Sequence, residues 1–141
     1  MGITTSHTIL FLGSNPSQSS QSTLPFWEDS RSRKILDEWV SRISLDHRYS
    51  IIFENVSNDP TDKNRPLKTS EIHQNLDRLS LLILEKKPTK IVALGNTAVK
   101  ALTLLRADFY QMPHPSGRNR QLNDKLFVEE RIKGLIDFIR P

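Results

Sequence analysis

His114 stands between Pro113 and Pro115. Proline fixes its own φ and restricts the residue before it, so this imidazole rides on backbone that is rigid on both sides. A lone histidine is more often structural, but this one is preorganised, which is costly for a surface loop with no task. His7, His47 and His73 show no ligand spacing with it or with each other, so no metal site is expected. The stretch that follows, Ser116-Gly117-Arg118-Asn119-Arg120, carries two guanidinium groups that suit phosphates or simply face solvent.

Two further loops hold candidate polar groups. Gly13-Ser14-Asn15-Pro16-Ser17 reads first as a tight turn, with glycine supplying backbone freedom and Asn before Pro favouring a turn. It contains neither Gly-x-Gly-x-x-Gly nor Gly-Lys-Ser/Thr, which argues against a dinucleotide or Walker-type phosphate cradle. Phe26, after Leu24-Pro25, is either core or an aromatic plate on which a base can stack. Asn55 closes an apolar stretch. Most such residues satisfy nearby backbone, yet its amide offers one acceptor and two donors, which match the O4 and N3–H edge of a uracil-like base. Lys63, Asn64 and Arg65 downstream are solvated residues or phosphate contacts.

The elements that must position these residues follow from hydrophobic pattern. Thr8-Ile9-Leu10-Phe11-Leu12, stopped by Gly13, reads as a buried strand, and Lys90-Ile91-Val92-Ala93-Leu94 with Gly95 as another. Further strands are expected over 49–56 and 108–112. Ile35, Leu36, Trp39, Val40 and Ile43 repeat at helical spacing and predict a helix over 30–45. Ile72, Leu76, Leu79 and Ile83 predict a second helix ending at Pro88. Asn96 is expected to cap a third, and a last helix runs over 124–138. Strands alternating with helices imply right-handed crossovers and a three-layer αβα domain over 1–141, built on a parallel sheet of about four strands. Ligands of such a sheet gather at the strand C-terminal ends, where loops 13–26, 55–66 and 113–122 emerge.

Composition sets outer limits. The 141 residues suit one domain, and 36% apolar with 26% charged residues suit a soluble fold. The absence of cysteine excludes disulfides, thiolate nucleophiles and cysteine-ligated zinc or iron–sulfur clusters, and fits a reducing cytoplasm. A net charge of +4 is a mild bias toward polyanions and names no partner by itself. With no signal peptide and no membrane span expected, the chain reads as intracellular, in the cytoplasm or associated with nucleoid or nucleus; a monomer is expected.

Taken together, these residues resemble the uracil-DNA glycosylase superfamily. Gly13-Ser14-Asn15-Pro16-Ser17 is similar to the first motif, Gly-x-Asn-Pro-Gly, of the mismatch-specific and single-strand-selective branches. His114-Pro115-Ser116-Gly117-Arg118-Asn119-Arg120-Gln121 resembles the second, His-Pro-Ser-Pro-Arg-Asn-Pro-Gln. Leu24-Pro25-Phe26 resembles the segment holding the base-stacking Phe. Asn55-Val56, with Asn64-Arg65-x-Leu67, is similar to the Thr-Asn-Val-Val strand end of the thermostable branch, and 90–102 to its Ile-Val-Ala-Leu-Gly strand and helix. The chain departs from relatives in its shorter length, in lacking the thermostable branch's cluster cysteines, and in Ser17, where relatives have Gly or Tyr.

The resemblance implies a monofunctional DNA glycosylase with no cofactor, acting on uracil or a 5-substituted uracil flipped from single- or double-stranded DNA. In that role Asn15 positions the attacking water and His114 donates a hydrogen bond to O2 of the leaving base. Gly13, Ser14, Ser17, Phe26 and Asn55 surround the base. Ser116, Gly117, Arg118, Asn119 and Arg120, with Lys63 and Arg65, grip the DNA. Three alternatives stay open: a DNA-binding protein on the same fold without catalysis, an N-glycosidase of free nucleotides or nucleosides, and a plain α/β interaction module.

Overall fold

The computed structural model describes residues 7–16, 30–45, 48–116 and 119–140. Four strands, β1 (His7–Gly13), β2 (Tyr49–Asn55), β3 (Lys90–Leu94) and β4 (Tyr110–Met112), form one sheet in the order β2-β1-β3-β4. Every pairing is parallel, with Gly13 opposite Asn55, Leu12 opposite Ala93 and Leu94 opposite Met112. Helices α1 (Arg31–Ile43), α2 (Thr69–Lys86) and α3 (Asn96–Leu104) fill the connections, and α4 (Lys125–Ile139) follows β4. No described helix is long and apolar enough to cross a membrane.

The central strands β1 and β3 are apolar on both faces because both faces are covered. Ile9 and Phe11 of β1 and Val92 and Leu94 of β3 pack with Leu36, Trp39 and Ile43 of α1 and Ile132, Leu135 and Ile139 of α4. The alternate residues, Leu10 and Leu12, Ile91 and Ala93, meet Ile72 and Leu79 of α2 and Ala98, Ala101 and Leu102 of α3 on the other side. A three-layer sandwich results. Leu36 is fully buried, so truncating it to Ala is expected to cost about 2–5 kcal/mol.

Chain direction follows from handedness. From β1 the first crossover steps outward to β2 with α1 on one face, whereas β2-α2-β3 and β3-α3-β4 step the other way with helices on the opposite face. Reversing direction while keeping a right-handed crossover requires changing face. The reversal lies between β1 and β3, where ligand crevices of such sheets form.

Helix ends are fixed locally. The Ser30 hydroxyl accepts from the Arg33 amide at 3.1 Å, and the Asp124 carboxylate accepts from the Phe127 amide at 3.1 Å, each satisfying an otherwise orphaned donor. Helix α3 corrects one expectation: Asn96 is already its first helical residue, and Gly95, at φ 89°, occupies the cap position. The turn from β3 into α3 needs a left-handed backbone there, which favours glycine over asparagine. Strand β4 is also shorter than expected. Arg106 turns out of α3 with φ 57° and the Ala107 amide bonds back to the Leu102 carbonyl, so pairing with β3 starts only at Tyr110.

Candidate active site

All four strands point the same way, so their C-terminal ends bring Asn15, Asn55, Gly95 and His114 to one edge of the sheet. The β1 and β2 ends are stitched beyond the ladder. The Val56 amide donates to the Gly13 carbonyl at 2.9 Å, and the Ser57 amide to the Ser14 carbonyl at 3.0 Å. Gly13 is buried, which leaves the turn it begins no room to drift.

Asn15 is half-buried and its amide is oriented from both ends. Its Nδ2 donates to the Asp59 carbonyl at 3.2 Å, and its Oδ1 accepts from the Ser14 hydroxyl at 2.9 Å. The loop supplying Asp59 is itself folded by buried Ser57, whose Oγ accepts from the Asp59 amide at 3.1 Å. With one Nδ2 hydrogen committed to backbone and one Oδ1 lone pair taken by Ser14, Oδ1 keeps one lone pair for a further hydrogen bond.

Asn55 is 4% exposed. Its backbone carbonyl accepts from the Arg78 guanidinium of α2 at 2.8 Å, and the same Nη2 reaches the Val56 carbonyl at 2.7 Å. Its side-chain amide has no hydrogen-bond partner among the described residues. Buried polar side chains are almost always paired, so an amide with no partner among the described residues still has donors and an acceptor to offer at the strand C-terminal edge.

His114 follows β4 and packs against Gly95. A Cβ built on Gly95 would lie 3.0 Å from the His114 Cβ, so the absence of a side chain there makes room for the histidine. The residue is half-buried by surface area, yet its ring is deep enough that desolvation pulls its pKa down to about 4. Burial disfavours the charged form, and the imidazole is therefore neutral at neutral pH. Asn119 holds the loop: its Nδ2 donates to the His114 carbonyl at 2.9 Å, and its own amide to the Ser116 carbonyl at 3.0 Å.

The remaining expected contacts divide. Arg65 is bound within the protein, its guanidinium gripping both oxygens of Glu71 at 2.7 and 3.2 Å. That carboxylate also accepts from the Lys68 amide at the start of α2, and the Arg65 bond, followed by this one, lowers its pKa to about 2. Lys63 and Arg120 are exposed, and Ser14 and Ser116 are half-buried. Ser17, Phe26, Gly117 and Arg118 lie outside the described residues. Among the described residues no three His, Asp or Glu side chains cluster to hold a metal ion.

A parallel αβα sheet whose strand-end loops carry Asn15, Asn55 and His114 defines the class, and the sequence profile of the Uracil DNA glycosylase superfamily matches residues 3–135. The chain belongs to that superfamily, which supports a glycosylase-like function in general. No individual curated protein matches the sequence significantly.

Proposed function

We propose that this chain is a monofunctional glycosylase that hydrolyses the N-glycosidic bond of uracil, or of a 5-substituted uracil, extruded from DNA. The observation that carries the reading is the Asn55 amide: buried, unpaired among the described residues, and on the same sheet edge as Asn15 and His114. A base inside a duplex is unreachable, so such an enzyme flips it out or starts from single strands. Asn55 then accepts from N3–H and donates to O4.

Heterolysis of the C1′–N1 bond sends the bonding electrons into the pyrimidine and leaves an oxocarbenium-like sugar. The neutral His114 donates an N–H to O2, where negative charge grows, so its help peaks in the transition state. The Asn15 Oδ1 accepts from the water that adds to C1′. An amide has negligible basicity, so Asn15 orients this water while its proton passes to solvent.

Ser17 is small where one branch of the family carries Tyr, which supports entry of 5-substituted uracils. Free release of uracil with 5-hydroxymethyluracil and thymine left intact would remove that extension. The reading as a whole is tested by incubating a uracil-containing oligonucleotide with the chain and cleaving abasic sites with alkali. Strand cleavage that Asn55→Ala abolishes is the expected result. An inactive wild type that still binds DNA would favour a non-catalytic binding protein, and turnover of deoxyuridine monophosphate without DNA would favour a nucleotide hydrolase.

A further inference from the structure

Arg78 projects from the middle of α2 to the end of β2, 23 residues upstream of it in sequence. One nitrogen, Nη2, bonds both the Asn55 and the Val56 carbonyls, at 2.8 and 2.7 Å. Its Nε faces the Asn75 Oδ1 at 3.4 Å, and the Asn75 Nδ2 donates to the Glu71 carbonyl at 2.8 Å, so the guanidinium is steadied from its own helix. Among the described residues no carboxylate pairs with it. This half-buried guanidinium therefore directs Nη2 to backbone carbonyls, charge-assisted bonds that are stronger than neutral ones.

The first carbonyl belongs to the Asn55–Val56 peptide and the second to the Val56–Ser57 peptide, the point where β2 leaves the ladder. Backbone there is held on one side by the Val56 and Ser57 amides bonding to Gly13 and Ser14. Arg78 supplies the hold on the other side. Holding the Asn55–Val56 peptide plane, which starts at the Asn55 Cα, limits how far the Asn55 Cα–Cβ bond can swing, and an amide that must discriminate donor from acceptor on a base edge tolerates little rotation.

We propose that Arg78 is a positioning residue that sets uracil selectivity by clamping the Asn55–Val56 peptide and so aiming the Asn55 amide. The inference rests on the reading of Asn55 as the group that recognises the base edge.

The test is a double-mutant cycle read by binding, which does not require turnover. Fluorescence anisotropy gives the affinity ratio between two single-stranded oligonucleotides that differ at one site, 2′-fluoro-2′-deoxyuridine against 2′-fluoro-2′-deoxycytidine. Arg78→Ala is expected to reduce the uridine preference roughly tenfold, the worth of a charge-assisted hydrogen bond, while affinity for the cytidine strand is unchanged. Arg78→Lys, which keeps the charge but loses the planar fork, is expected to fall between. On an Asn55→Ala background neither change should cost anything more. Full preference in either Arg78 variant, or losses that multiply with Asn55→Ala, would overturn the clamp. Should the wild type show no preference and Asn55→Ala change nothing, the base-reading role of Asn55 itself fails, a result visible before any Arg78 variant is made.

Discussion

Gly95 and His114 face each other so closely that a single methyl group on the glycine would lie 3.0 Å from the histidine Cβ. Gly95 also sits at φ 89° and donates its amide to the Met112 carbonyl at 3.0 Å, tying the β3 turn to the strand that delivers His114. Gly95→Ala is thus both strained and crowding. It should cost about 1–3 kcal/mol of stability, because positive φ with extended ψ is a backbone region that essentially only glycine adopts. On the proposed role of His114, activity should fall further, roughly a hundredfold, because a reacting group displaced by about an ångström loses its alignment. Glycosylase rates beside a denaturation curve check this; an active Gly95→Ala enzyme would show that the His114 loop has slack.

The ionisation of His114 predicts a pH signature. Its pKa is lowered to about 4 by burial, against an unperturbed value of about 6.5. The unfolded chain therefore binds more protons over about pH 4–6.5, and stability rises with pH through that window and levels off above it. A shift of this size corresponds to at most about 3 kcal/mol. His114→Gln should flatten that part of the stability profile. An NMR titration should place the His114 midpoint near pH 4, and a midpoint near 6.5 would show the ring to be solvated.

Asn119 and Arg120 separate loop support from DNA contact. Asn119 holds the His114 carbonyl, whereas Arg120 is exposed. Asn119→Ala is expected to lower kcat with the salt dependence of DNA binding intact. Arg120→Ala should instead weaken binding to all sequences and reduce the salt slope by about one. A changed slope for Asn119→Ala would make it a DNA contact.

Gly134 of α4 makes room for Tyr110. A Cβ there would come within 2.2 Å of the tyrosine oxygen, which donates to the Arg131 carbonyl at 2.9 Å. Alanine normally favours a helix over glycine by about 1 kcal/mol, but here overpacking is expected to win, for a net loss of about 1–3 kcal/mol. Tyr110→Phe in the same chain should recover part of it. A stabilised Gly134→Ala in urea denaturation would contradict the contact.

Much of the fold was legible because the signals were local. The apolar runs of β1 and β3 end at glycines, the α1 stripe repeats at helical spacing, and parallel strands put loops 13–16, 55–61 and 113–116 on one edge. What sequence could not show is contact between distant residues through backbone atoms. Arg78 addresses carbonyls, which every residue possesses, so no residue pattern marks its partners. Gly95 looked like a strand stop, and its second task against His114 depends on β3 and β4 being neighbours. Arg65 read as a solvated or phosphate-facing cation, but Glu71 six residues on takes it at the start of α2.

The central claim is that Asn15, Asn55 and His114 close around one extruded uracil. A crystal structure with a single-stranded oligonucleotide carrying 2′-fluoro-2′-deoxyuridine tests it most directly, since the fluorine disfavours the oxocarbenium and preserves the bond. The Asn55 amide is expected within about 3.2 Å of N3 and O4, a His114 nitrogen at similar range from O2, and the Asn15 Oδ1 facing C1′ across a water. A bound strand whose uracil touches none of these three side chains would contradict it.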